Sequence, residues 1–187
     1  MGTDAHASGA GGAARQEAAE VLGFWPSLPA VVCDRRLTVL ASTPLARALS
    51  EAFEPGENLV RFVFLSPRRR ESSEHWASSA QATVGLLHGT VDERDPDRRT
   101  ERMLGEVSTH SRGFSQLWAD PRVLPPQTGT VAIEDTAAGD VLLHFAVLDG
   151  PRPADTLVIV FAPADDPARQ ALSRLALSSS SPDRRAR

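Results

Sequence analysis

Few side chains in this sequence could attack a substrate, ligate a metal or move a proton, and fewer stand in useful company. Cys33 is the only cysteine among 187 residues. That excludes an intramolecular disulfide and a multi-cysteine zinc site, and it suits a reducing cytoplasm. Cys33 lies among Val31, Val32 and Leu40 with no cation evident on its own face, so it reads as a small core hydrophobe and not as a nucleophile. The five histidines, His6, His75, His88, His110 and His144, never fall at an HExxH or similar spacing, and no metal is expected. No Gly-x-Ser-x-Gly elbow occurs, and no paired carboxylates flank an apolar cleft. The chain therefore reads as a non-enzyme with no catalytic residues and no cofactor. Gly9-Ala10-Gly11-Gly12 has the glycine content of a phosphate loop, but no strand precedes it and no Gly-Lys-Ser/Thr follows. Arg68-Arg69-Arg70 is the densest basic cluster, yet Glu71 and Glu74 follow it, and i, i+4 pairing suits a solvated helix face.

Composition narrows the class further. The formal net charge is -4, without the basic surplus that neutralising phosphates requires, so direct nucleic-acid binding is not expected. Hydrophobic residues make up 41% of the chain, but no apolar run approaches the ~18 residues of a membrane span, and no membrane partner is expected. The opening MGTDAHASGAGGAA lacks a basic n-region and apolar h-region, and His6 stands where a myristoylation motif wants Ser or Thr. The length suits one domain. Residues 1–19 and 178–187 are too poor in large apolar side chains to offset the entropy of ordering, so both read as disordered tails around a folded unit at 20–177.

The elements follow from periodicity and punctuation. Residues 28–34 and 37–41 read as a hairpin-like pair of strands, and Ser42-Thr43-Pro44 as a helix start with Thr43 as cap and Pro44 in the first turn. Asn58–Leu65 is a short apolar segment of a helical middle, stopped by Ser66-Pro67. From Pro67 to Gly89, the residues Trp76, Ala80, Val84, Leu87 and His88 fall on one helical face. Met103, Leu104 and Val107 suggest a further helix. Phe114, Leu117 and Trp118 form an i, i+3, i+4 patch closed by Asp120-Pro121. The period then changes to two: 129–134, 141–148 and 156–161 read as an antiparallel meander. Two strands, a block of helices and three strands make an α+β domain, in the order of a PAS-like antiparallel sheet of about five strands with helices packed on one face.

These pieces in this order resemble the MmyB-like transcription regulator ligand-binding domain, whose members are PAS-like modules. The resemblance runs over roughly Leu28 to Ala164. It is carried by LPAVVCDRRLTVLAS at 28–42, NLVRFVFLSPRRRE at 58–71, HWASSAQATVGLLHG at 75–89, STHSRGFSQLWADPRV at 108–123 and the two closing strand segments. The chain departs from the family pattern at Ser42, His88 and Pro121, where Asn, Arg and His are usual. Family members normally carry an XRE-type helix-turn-helix ahead of this domain. Only 27 residues precede Leu28, fewer than the ~50 of the smallest domains, so the expectation is a sensor lacking its own DNA-binding part.

The resemblance implies a noncatalytic sensory module that binds a small, largely apolar, fatty-acid-like molecule between helices and sheet. The expected ligand-binding residues are Trp76, Ala80, Val84, Leu87, His88, Phe114, Leu117, Trp118 and Phe145. Aromatic residues at helical spacing serve as core as readily as cavity wall, and here both roles are open. His88 at its helix end is either a half-exposed terminal histidine or a polar group holding a ligand carboxylate at the pocket mouth. A protein-interaction module, acting as a homodimer or with a separate XRE-type regulator, is the alternative function. Along the fourth strand, Val141, Leu143, Phe145 and Val147 share one face, expected to meet the helices, with His144 directed away.

Overall fold

The computed structural model describes residues 4–66, 74–91, 97–152 and 155–179. Its frame is a five-stranded, fully antiparallel sheet of β1 (Ala30–Asp34), β2 (Val39–Ser42), β3 (Thr128–Thr136), β4 (Gly139–Asp149) and β5 (Thr156–Pro163), in the order β2-β1-β5-β4-β3. The first hairpin is closed by Asp34, whose Oδ1 accepts the backbone N–H groups of Arg36 and Thr38, each at 2.9 Å. Leu37 in that turn takes a left-handed backbone, φ 60°, uncommon for a residue with a Cβ. Its side chain is fully buried, so core packing holds the turn.

Between β2 and β3 runs the helical block: α2 (Pro44–Leu49), a 3-10 turn at Glu51–Phe53, α3 (Leu59–Leu65), α4 (Glu74–Thr90), α5 (Arg98–His110) and α6 (Arg112–Trp118). Thr43 caps α2 with Pro44 at the first turn, as read from sequence; its Oγ1 accepts from Ala46 N–H and donates to Leu28 O at 2.8 Å. Asn58 caps α3 by accepting the Arg61 N–H. The same side chain donates from Nδ2 to Arg36 O at 2.7 Å, tying α3 to the first hairpin. The strands alternate as expected. Val141, Leu143 and Phe145 are buried against the helices, whereas Leu142, His144 and Leu148 are exposed. The inner faces of all five strands and the helical block share one hydrophobic core.

Two helices extend the sequence reading. The segment assigned to an N-terminal tail at 1–19 instead forms most of α1 (Asp4–Leu22). Ala18 through Leu22 is rich in helix formers, and Ala18 and Leu22, four residues apart, bury on the outer face of the sheet against Ala30, Val32, Ala41 and Val158. The sheet is thus covered on its inner face by the helical block and, over β1 and β2, on its outer face by α1. A pair of small contacts four residues apart is too weak a pattern to read before the opposing surface is known. The last helix, α7 (Asp166–Ser179), begins beyond the closing strand and extends past residue 177; Ala168, Ala171, Leu172 and Leu175 join the main core. The cluster Arg68-Arg69-Arg70, with Glu71, lies outside the described residues.

Candidate functional site

The helix α4 carries two adjacent stripes, and the structure gives them different work. Trp76, Ala80, Val84 and Leu87 are buried in the main core. Trp76 donates its indole N–H to Val63 O at 3.0 Å and stands edge-on to Phe64, with ring centres 5.8 Å apart. Phe64 in turn meets Phe114 at 5.1 Å, Phe114 stacks on Trp118 at 5.8 Å, and Trp118 meets the imidazole of His88 at 4.3 Å. Leu117 is partly buried against the same core. A continuous aromatic seam therefore fastens α3, α4 and α6 together.

His88 sits at the α4 end of that seam with Nδ1 2.9 Å from Val123 O. A carbonyl only accepts, so Nδ1 carries the proton in this arrangement. The bond pins the end of α4 to the chain leaving α6. Two glycines let that chain pass close over the helix. A Cβ on Gly85 would stand 2.5 Å from Leu124 O, and one on Gly89 would stand 3.0 Å from the Pro125 ring.

The neighbouring stripe of α4, Ser79, Ala82, Thr83 and Leu86, lines an apolar cavity between helices and sheet. The 3-10 turn contributes Ala52 and Phe53, α3 contributes Leu59, Phe62 and Val63, and the sheet contributes Val131, Ile133, Phe145, Ile159 and Phe161. Ser50 and Phe62, both half-buried, stand at its rim. Of the nine residues expected to bind a ligand, Phe145 alone is in this wall. The other eight lie outside this wall: Trp76, Ala80, Val84, Leu87 and Phe114 in the main core, Leu117 and Trp118 packed against it, and His88 against Trp118. The wall residues Ser79, Ala82, Thr83 and Leu86 run i, i+3, i+4, i+7, a helical signal already present in the sequence. Two hydroxyls and an alanine make that stripe look polar beside the one led by tryptophan.

Phe145 has its place in the wall because its antiparallel partner is Gly129. A Cβ there would lie 2.5 Å from Phe145 Cε1, so only glycine leaves the ring its present seat. Phe161 packs on Phe53 at 5.2 Å on the other side.

The cavity is small, about 80 Å³, against ~300–1,000 Å³ for usual small-molecule sites. Ser50 and Phe62 also border a polar groove of about 310 Å³ that carries Arg47, Glu51, Glu134 and Asp135. Among the described residues no charged side chain is in the cavity wall itself.

Burial pushes the Cys33 thiol far above its ordinary range, assisted by the neighbouring Asp34 charge, so the thiolate nucleophile is suppressed. Among the described residues no three of His, Cys, Asp or Glu gather as a metal site, and no helix is long and apolar enough to cross a membrane.

An antiparallel sheet in the order β2-β1-β5-β4-β3, with a helical layer enclosing an apolar cavity over its inner face, is the architecture of a PAS-like domain. The family model described as MmyB-like transcription regulator ligand binding domain matches residues 14–175, and the chain belongs to that family. It is accordingly a ligand-binding regulatory domain. No curated protein matches the chain.

Proposed function

We propose that this domain senses a small, largely apolar molecule, fatty-acid-like in its hydrocarbon part, by taking it into the cavity between α3, α4 and the inner face of the sheet. The observation that carries the reading is the wall itself: four phenylalanines and several aliphatic side chains around a space that opens at Phe62 and Ser50. Apolar surface transferred from water into such a space gains ~25 cal/mol per Å², enough to hold a ligand through its hydrocarbon alone. Entry displaces Phe62, and the regulatory signal is the resulting shift of α3 against α4.

The test is native mass spectrometry of the full chain with a panel of fatty acids, wild type beside Ala82→Phe. Ala82 lines the cavity and is only partly buried, so a ring there occupies the ligand space and leaves the core intact. We expect uptake by wild type and none by the variant. Equal uptake by a folded Ala82→Phe protein places the ligand elsewhere. Ala80→Phe is the less suitable probe, because Ala80 is fully buried in the core.

A second reading, a homodimer or a complex with a separate XRE-type regulator, is favoured by the exposure of Leu142 and Leu148 on the outer face of β4. Sedimentation of wild type beside Leu142→Asp tests it. A monomer in both cases removes the homodimer.

A further inference from the structure

The polar atoms inside the cavity narrow the chemistry of what it binds. Ser79 is 7% exposed and Thr83 8% exposed, one turn apart on the stripe of α4 that faces the cavity. Thr83 Oγ1 donates to Ser79 O at 2.8 Å, which satisfies its hydrogen and leaves its lone pairs available. The Ser79 hydroxyl makes no side-chain hydrogen bond among the described residues, although its neighbour Ser78 donates back to His75 O in the usual helical manner. A hydroxyl that lines the cavity and makes no hydrogen bond within the chain has both its proton and its lone pairs to offer a group that enters. Every other side chain of the wall is apolar apart from Ser50, whose oxygen already accepts the Ala52 N–H at 3.2 Å.

We infer that the buried part of the ligand carries a neutral oxygen, a hydroxyl or a carbonyl on a short aliphatic body, received by Ser79 Oγ with Thr83 Oγ1 as a second acceptor. The inference rests on the reading of this cavity as the ligand site and sharpens it. Ser79 both donates and accepts, so it serves an alcohol and a ketone, ester or lactone alike. An ionised carboxylate fits the same place poorly, because no cation lines the wall among the described residues and an unpaired buried charge is strongly penalised. A carboxylate elsewhere on the ligand stays outside, beyond Phe62. The preferred class is therefore an oxygenated aliphatic molecule, with its oxygen set along the chain.

The experiment is an amide NMR titration of the full chain with 1-hexanol, 2-hexanone, n-hexane and hexanoate, sized to the small cavity. It is done on wild type, Ser79→Ala and Thr83→Val. Ser79→Ala removes one buried oxygen and leaves the backbone carbonyl that Thr83 uses, so the fold is retained. Expected is a loss of roughly three- to tenfold in affinity for hexanol and hexanone in Ser79→Ala. Hexane should hold or gain affinity, and hexanoate should bind most weakly to all three proteins. Thr83→Val should weaken hexanol, the donor, more than hexanone. Equal losses for hexanol and hexane in Ser79→Ala, no loss for hexanol, or a loss for hexanoate matching that for hexanol, overturns the inference and leaves the cavity as the ligand site. Failure of all four compounds to shift the amides of Phe62, Val63 and Leu86 overturns the cavity reading, and this inference with it.

Discussion

The two faces of the sheet obey the same alternation and end in opposite circumstances. On the inner face, Val31, Cys33, Val141, Leu143, Phe145, Leu157, Ile159 and Phe161 all belong to one core with the helical block. On the outer face, Ala30, Val32 and Val158 are buried under α1, while Leu142, His144 and Leu148, farther along the sheet, are exposed. The inner cover is an aromatic seam with backbone-level contacts. The outer cover is one helix held by Ala18 and Leu22 and by Arg152, which donates from Nε and its terminal nitrogen to the two Glu17 oxygens at 2.8 Å each. The difference teaches that the inner face carries the main core and the apolar cavity, whereas the outer cover is one helix held by a small apolar cluster and one ion pair.

The largest test of this contrast lies on adjacent residues of β4. Phe145→Ala should cost ~3–5 kcal/mol, because it empties a buried aromatic site. His144→Ala removes an exposed ring whose Nδ1 meets Thr130 Oγ1 at 3.0 Å, and should stay within about 0.5 kcal/mol. Urea unfolding of both variants decides it, and comparable losses would mean that the faces do not differ as described.

A smaller effect is expected at Gly129. Its replacement by alanine drives a methyl group into the Phe145 ring, and overpacking of this kind costs ~1–3 kcal/mol. The neighbouring Thr130→Ala, on the outer face, should change the unfolding midpoint little. The displaced ring also enters the cavity, so Gly129→Ala should take up less ligand in the native mass-spectrometry assay than its stability alone accounts for. Unchanged uptake would show that the ring moves away from the cavity.

The smallest effect concerns α1. The hydrogen bond from Arg152 holds the Glu17 carboxyl below its ordinary range, against a slight opposing push from burial and with further help from the Arg152 charge. A folded-state pKa below the unfolded one stabilises the docked helix at pH above the ordinary glutamate value, and that contribution is lost as pH falls through the lowered value. Protection factors in the C-terminal half of α1, taken against the intrinsic exchange rate at each pH, should therefore fall on acidification below about pH 4, while those of β1 and β5 hold. Arg152→Ala should bring the lower protection factors to neutral pH and abolish their pH dependence in this range. Exchange in β1 rising together with α1 would show that the outer cover and the sheet open as one unit.

Most of the frame was legible because strong local signals set it. The meander from 128 to 163 is written in a period of two, the Thr43-Pro44 start in capping chemistry, and α6 in the spacing of Phe114, Leu117 and Trp118. α1 and α7 were not legible as docked helices. Their contacts use alanines and a few leucines, and such a face acquires meaning only beside the surface that receives it.

What the sequence by itself determined is which residues share a face, the antiparallel order of the closing strands, and the inward orientation of Phe145. Only the tertiary structure decided which stripe of α4 lines the apolar cavity. Ser79 and Thr83 follow the same helical period as Ala80 and Val84, one residue apart and about 100° around the axis, so periodicity alone cannot rank them. The rank was set by Phe64 and Phe114. Phe64 packs edge-on to both Trp76 and Phe114, and the gap is left before Ser79 and Ala82, lined also by Phe62 and Phe145.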